Sequence, residues 1–411
     1  MAVIKTKKIN LKNIFLVSFF LITILINSGS AIILFNDNVP LVFLFLIGLY
    51  LIIFDGILRK KILTKHFITN PLFILSICIF LNMIIHFDFK SYGGYLRQIL
   101  VFIVSILFVL RVDFKKFSKY FIKFIIFVTI LSIIIWLLIN VIGVVPPHLI
   151  LKSAAENVSY NLYYNFILCF FNVHNSFRIM GPFWEPGVFA SMLLFALIFN
   201  ENMDYSSSKK NKNSIILIIG LLLTMSTAGY ILLLIFVVYK ITRNIESHNA
   251  IIFGFFLIII LTVMYIYSDD ILYKLGEIFP NVFRKLIIES MSKGTRINSP
   301  LLDFKIFSLN PVFGVGMSSY QKLWPIYARE MIVESRTSTI TYFLSNYGII
   351  GILYFYTIIT SFMKQKNVKL IAKICLMLIF SCIVMKEPHY VNLSTNIILL
   401  YFYYNIERKK V

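Results

Sequence analysis

The sequence predicts an all-α fold: a polytopic membrane protein of about twelve transmembrane helices, with a large outer loop carrying amphipathic helices. Three observations predict it. Apolar stretches recur along the 411 residues, lysines and arginines collect in alternate gaps between them, and 59% hydrophobic residues stand against 14% charged. A soluble fold cannot cover that much apolar surface. A helix in lipid needs about 20 mostly apolar residues, because every backbone amide must be satisfied within the segment. The chain, 1–411, reads as a single transmembrane domain.

The first stretch, 13–35, follows Lys5, Lys7, Lys8 and Lys12 and passes Ser28-Gly29-Ser30-Ala31. That start resembles a secretory signal, but the apolar run continues to Phe35 and further spans follow, so an uncleaved helix is expected. Spans at 39–57, 71–86, 97–110 and 120–143 come next, then an outer loop at 144–184 and a sixth span at 186–200. The stretch from Ser214 to Ile241 is interrupted at Ser226-Thr227-Ala228-Gly229 and reads as two half-length helices, 214–226 and 228–242. A ninth span at 250–267 precedes the large outer loop, 268–337, and spans at 338–360, 368–385 and 391–406 complete the chain.

Charge sets the orientation. Lys209/Lys210/Lys212 and Lys240/Arg243 fall on the same side only if 214–242 is two helices, and the remaining basic clusters then share that side too. Positive charge resists translocation, so this side is the cytoplasm, with both termini in it. The protein is therefore expected in the cytoplasmic membrane as a multi-pass chain. The net charge of +21 comes from short clusters between spans, which reads as a topology signal rather than a nucleic-acid surface. Cys78, Cys169, Cys375 and Cys382 lack metal-ligand spacing, and three lie in apolar spans, which argues against a disulfide framework. In the large loop, Ile271–Phe279 and Val282–Met291 have the helical spacing of segments that lie flat among lipid headgroups.

Chemistry should sit on the outer side. Arg178 opens Arg178-Ile179-Met180-Gly181-Pro182-Phe183-Trp184-Glu185-Pro186-Gly187, Arg296 follows Gly294-Thr295, and Arg336 lies just before the tenth span. A guanidinium is always charged and forks onto phosphate oxygens, so several converging beside lipid would hold a diphosphate; a single one can equally well snorkel to water. Glu185 precedes Pro186 at a helix start, where the dipole favours negative charge; it either stabilises that helix or serves as an acid–base group. Gly314 and Gly316, after Asn310-Pro311, would let a loop turn an amide towards an anion, or simply turn the chain ahead of Tyr320 and Trp324. Asp269-Asp270 fits a helix cap, His148, His174 and His389 look isolated, and no metal signature is evident.

These motifs together resemble the O-antigen polymerase and O-antigen ligase superfamily of bacterial envelope glycosyltransferases. Carrying the resemblance are Arg178…Gly181-x-Phe183-x-Glu185-Pro186-Gly187, the helix pair broken at Ser226–Gly229, and Thr295-Arg296…Asn310-Pro311-x-x-Gly314-x-Gly316 followed by Gly348-x-x-Gly351. They span roughly the second half of the chain. The resemblance implies a metal-independent, inverting transferase without a cofactor, joining undecaprenyl-diphosphate-linked oligosaccharide repeats into O-antigen, capsule or exopolysaccharide. It implies Glu185, Arg296 and Arg336 as catalytic, with Arg178, Gly181, Trp184, Gly314, Gly316 and Tyr320 binding substrate. A flippase and a chain-length regulator are the implied partners besides membrane lipid, and nucleic acid is not one. The ligase branch usually carries a His before the tenth span; here the residues are Glu334-Ser335-Arg336-Thr337-Ser338, which favours polymerisation over transfer to another acceptor and leaves the base open. A transporter would instead show charges at mid-membrane depth and an internal repeat, and neither is found.

Overall fold

The computed structural model describes residues 26–28, 30–31, 38–52, 65–152, 162–166, 168–173, 176–244, 290–333, 336, 338–366, 368–386 and 389–404. It is mostly helical. In chain order the principal helices are α1 (Asn38–Ile52), α2 (Pro71–Ile85), α3 (Tyr92–Arg111), α4 (Phe114–Leu137), α5 (Pro186–Asn202), α6 (Ser207–Leu223) and α7 (Thr227–Asn244). They continue as α8 (Ser290–Phe307), α9 (Met317–Glu330), α10 (Thr339–Tyr347), α11 (Ile352–Met363), α12 (Leu370–Lys386) and α13 (Leu393–Tyr403). Among the described residues, three continuous helical stretches are long and apolar enough to cross a membrane: Phe89–Arg111, Phe114–Ile142 and Thr339–Met363. Leu41–Leu51, Pro71–Ile85, Pro186–Asn202 and Leu393–Tyr403 are shorter apolar helices. The stretches 1–25 and 250–267, with the amphipathic segment Ile271–Phe279 and most of Val282–Met291, lie outside the described residues.

Two expectations are corrected by the architecture. The fold is not purely helical: Leu149–Lys152, Leu162–Asn165 and Phe170–Asn172 form a three-stranded antiparallel sheet in the 144–184 loop, with Leu149 opposite Asn165 and Tyr163 opposite Asn172. Short runs of Leu, Ile, Tyr and Phe pack well on such a pleated surface. The helices α6 and α7 are also not half-length. They contain 17 and 18 residues, because Ser207–Asn213 extends the helix below the apolar part of α6.

Every residue of α5 from Gly187 to Asn200 is buried, as is α13 from Leu393 to Phe402, so these two helices lie in the interior of the bundle. A helix apolar on all sides belongs in the interior. Helix termini gather at two ends. At one, Lys115 pairs with Asp204 at 2.8 Å, Arg243 Nη1 donates to Asn202 Oδ1 at 2.8 Å, Tyr401 Oη donates to the Val112 carbonyl and Gln365 Nε2 to the Phe402 carbonyl. The lysine-rich turns at 111–119, 203–212, 240–243 and 364–373 lie here, and this is the basic end. The turns at 86–91 and 224–226, the residues 389–392 and the starts of α5 and α10 lie at the opposite end.

Both α8 and α9 cover that opposite end. Helix α9 begins at Gly316 without a side-chain cap of its own. Asp88, in the α2–α3 turn, supplies one: it accepts from Ser318 N at 2.7 Å, from the Ser318 hydroxyl, and from Tyr95 Oη at 3.0 Å. Burial raises the Asp88 pKa, but the bonds from Ser318 and Tyr95 together outweigh it and hold the carboxyl below its ordinary value. Asp88→Ala is therefore expected to loosen α9, at a cost of about 1–2 kcal/mol, the usual loss for a helix cap. Faster proteolysis within 317–330 is the readout, and unchanged cleavage would contradict the capping role.

Candidate functional site

Glu185 occupies the N-cap position of the buried helix α5, at the end opposite the lysine-rich turns. Its backbone is extended (φ −147°), Pro186 follows at the first helical position, and its half-buried carboxylate makes no capping bond to α5. The lead-in to this position depends on Gly181, whose φ of +57° is left-handed and whose absent side chain leaves room for Phe189 and Val128. Trp184 is half-buried against the core. Gly181 and Trp184 thus shape the chain before Glu185.

Arg178 is pinned beside them. Its Nε donates to the Thr224 carbonyl at 3.0 Å, and Ile179 N donates to the Leu223 carbonyl at 3.1 Å. A cation at a helix C-terminus satisfies orphan carbonyls and suits the dipole. The α6–α7 turn that receives it is strained, because Met225 takes φ +48°. Such a conformation costs on the order of 1–3 kcal/mol and persists where the surroundings enforce it. Ser226 then caps α7, its Oγ accepting from Gly229 N at 3.3 Å, and the same Oγ accepts from Lys386 Nζ at 3.0 Å.

Arg336 lies further along the same end, exposed, with its guanidinium over the rings of Tyr320 (5.3 Å) and Trp324 (5.6 Å). Beneath it Asp303 is buried and accepts from Tyr320 Oη and from Thr341 Oγ1, each at 2.6 Å. Burial pushes the Asp303 carboxyl up to about 6, against the pull of the two hydroxyls and of Arg336. One carboxylate therefore joins α8, α9 and α10 and fixes the platform on which Arg336 stands. Tyr320, expected to bind substrate, is fully buried and spends its hydroxyl on Asp303, so its role is to support Arg336. Arg296 falls in α8, seven residues or about two turns before Asp303 and on the same side of the helix; its side chain lies outside the described residues.

The glycine loop does not cradle an anion. Gly314 and Gly316 do take left-handed conformations, φ +71° and +76°. Their amides, however, are committed: Gly314 N donates to the Asn310 carbonyl at 2.8 Å and Gly316 N to the Asn346 carbonyl at 3.1 Å. Val315 N donates to Ser345 O and Ile349 N to Pro311 O, so the loop is laced to the end of α10. A Cβ on Gly314 would strike the Asn346 carbonyl, and one on Gly348 would strike that of Val312. The Gly-x-Gly and Gly-x-x-Gly motifs are the two halves of one backbone joint.

Between the two arginines runs a line of polar contacts that sequence reading missed. Thr224 and Ser226 lead to Lys386, and His389 N donates to Thr339 Oγ1 at 2.9 Å at the start of α10. His389 is not isolated: its Nδ1 lies 2.9 Å from Asn392 Nδ2 and 3.0 Å from Thr395 Oγ1. Asp303 had one legible signal, a lone carboxylate between Leu302 and Phe304. Lys386 and the backbone amide of His389 had none, since their partners are 160 and 50 residues away. No protein-family model, no curated protein and no solved structure matches this chain.

Proposed function

We propose that this protein is a polysaccharide polymerase of the O-antigen polymerase and ligase type. In this reading it spans the cytoplasmic membrane about twelve times, with both termini in the cytoplasm, and joins undecaprenyl-diphosphate-linked repeat units on the outer face. The observation that carries the reading is the position of Arg178, Glu185 and Arg336: all lie at the end of the bundle away from the lysine-rich turns. Positive inter-helix turns mark the cytoplasmic side, which makes the opposite end extracytoplasmic.

The chemistry follows from charge. The donor's diphosphate sits against the guanidinium groups of Arg336, Arg296 and Arg178. Glu185 accepts the proton of an acceptor sugar hydroxyl as its oxygen attacks the anomeric carbon. The carbon–oxygen bond to the diphosphate breaks, the configuration inverts, and the electron pair leaves with undecaprenyl diphosphate. Preorganised cations act on the charge that grows on this leaving group, where electrostatic help is largest.

Glu185→Gln and Arg296→Ala are each expected to abolish long polymer in cells that depend on this chain, leaving single repeat units. Chain length of the extracted glycan is the measurement. Full-length polymer from both variants would refute the assignments.

A further inference from the structure

Several otherwise unexplained features meet at the α6–α7 turn. Thr224 holds Arg178 through its carbonyl, and Ser226, two residues later, holds Lys386 through its hydroxyl. Two residues of chain span at most about 7 Å, so the backbones that receive these two cations, drawn from distant stretches, lie within that distance of each other. The helices starting here add to the field. A Cβ on Gly229 would lie 3.1 Å from the Ala190 Cβ, so the first turns of α7 and α5 pack directly together. Their N-termini carry partial positive charge, which favours an anion at this end.

An independent observation points to a ligand. His389 is fully buried, its Nδ1 is engaged by Asn392 and Thr395, and its Nε2 has no partner among the described residues. Burial, reinforced by the charge of Lys386, holds its pKa down to about 3, so the ring beside Lys386 is neutral. Buried polar atoms in proteins are rarely left unpaired, so this ring nitrogen, three residues from a tethered cation, marks a place where a further group completes the bonding.

We propose that Lys386, tethered to Ser226 in the turn that also holds Arg178 and followed three residues later by the buried His389, is a diphosphate-binding residue. Resting on the function proposed above, this assigns the bound group as the diphosphate of a polyprenyl-linked glycan, held between the α6–α7 turn and Arg336. Lys386 acts as a point charge on one phosphate, and His389 Nε2 meets a hydroxyl or water of the bound headgroup.

The test uses the full chain in lipid nanodiscs, titrated separately with undecaprenyl diphosphate, undecaprenyl monophosphate and inorganic pyrophosphate. Loss of one charge-assisted bond predicts that Lys386→Ala binds the lipid diphosphate about tenfold or more weakly. Lys386→Arg, which keeps the charge, is expected to restore binding to within about threefold, a rescue that a failure to fold would not show. The monophosphate should respond less to Lys386→Ala than the diphosphate does. Pyrophosphate binding as tightly as the lipid assigns the site to free diphosphate, and tighter lipid binding assigns it to the lipid-borne group. Unchanged affinity in Lys386→Ala, with affinity lost in Arg336→Ala, removes Lys386 while leaving the proposed function standing. Absence of diphosphate binding by the wild-type protein removes both.

Discussion

Arg336→Ala is expected to slow polymer formation by about 10²-fold or more while leaving the protein folded. The side chain is exposed, so its loss opens no cavity. Its setting is nonetheless rigid: the guanidinium lies over Tyr320 and Trp324, and the first of these is bonded to Asp303. A cation already oriented before the diphosphate arrives loses little freedom when charge develops on the leaving group. Arg336→Lys should fail nearly as badly, because an ammonium neither stacks flat on the two rings nor forks onto two phosphate oxygens. Asp303 stays satisfied by Tyr320 and Thr341 in either variant, which is why folding should survive. The check is the rate of glycan lengthening in membranes containing equal amounts of each protein. A wild-type rate in Arg336→Ala would show that the exposed guanidinium has no part in the chemistry.

The second large effect is on stability. Gly348→Ala should destabilise the protein by about 3 kcal/mol or more, because a strained backbone and a steric clash combine at one position. With φ +66° and ψ −153°, Gly348 occupies a region that side-chain-bearing residues avoid. A Cβ there would also enter the space of the Val312 carbonyl. The only escape is to part the 310–316 loop from α10, which breaks the bonds from Val315 N to Ser345 O and from Ile349 N to Pro311 O. Since this joint locks the cover formed by α8 and α9, polymer formation should fall with stability. Thermal melting of the purified variant is the measurement, and a melting temperature equal to that of the wild type would sink the joint.

The bundle was legible because its signals are local. The span read at 71–86 is α2 at Pro71–Ile85, the start at Pro186 is where α5 begins, and the break expected near Ser226 is the turn between α6 and α7. Apolar length and proline placement act within one segment, so they survive in a bare sequence. The sheet was missed because strands of three or four residues carry too little alternation to register.

The site was legible only in part. Arg178, Glu185 and Arg336 were chosen on side-chain chemistry, and all three do lie at the end away from the lysines. Gly314 and Gly316 were chosen on backbone freedom, which they have, but freedom to turn says nothing of where the amides go. Gly314's amide turns back to Asn310 and Gly316's goes to Asn346 in α10, about 30 residues on, so only folding reveals that an apparent anion loop is a clasp. Tyr320 was misread for the same reason, since the Asp303 that claims its hydroxyl is set by the packing of α8 on α10.

The most direct test of the proposed chemistry is a reconstitution. Purified protein in proteoliposomes receives a lipid-linked repeat unit, without divalent metal and without nucleotide sugar, and both polymer and released undecaprenyl diphosphate are quantified. The account predicts polymer, with one lipid diphosphate released per glycosidic bond and little of either from Arg336→Lys. Polymer appearing only when a nucleotide sugar is supplied, or no polymer at all from folded protein, would contradict it.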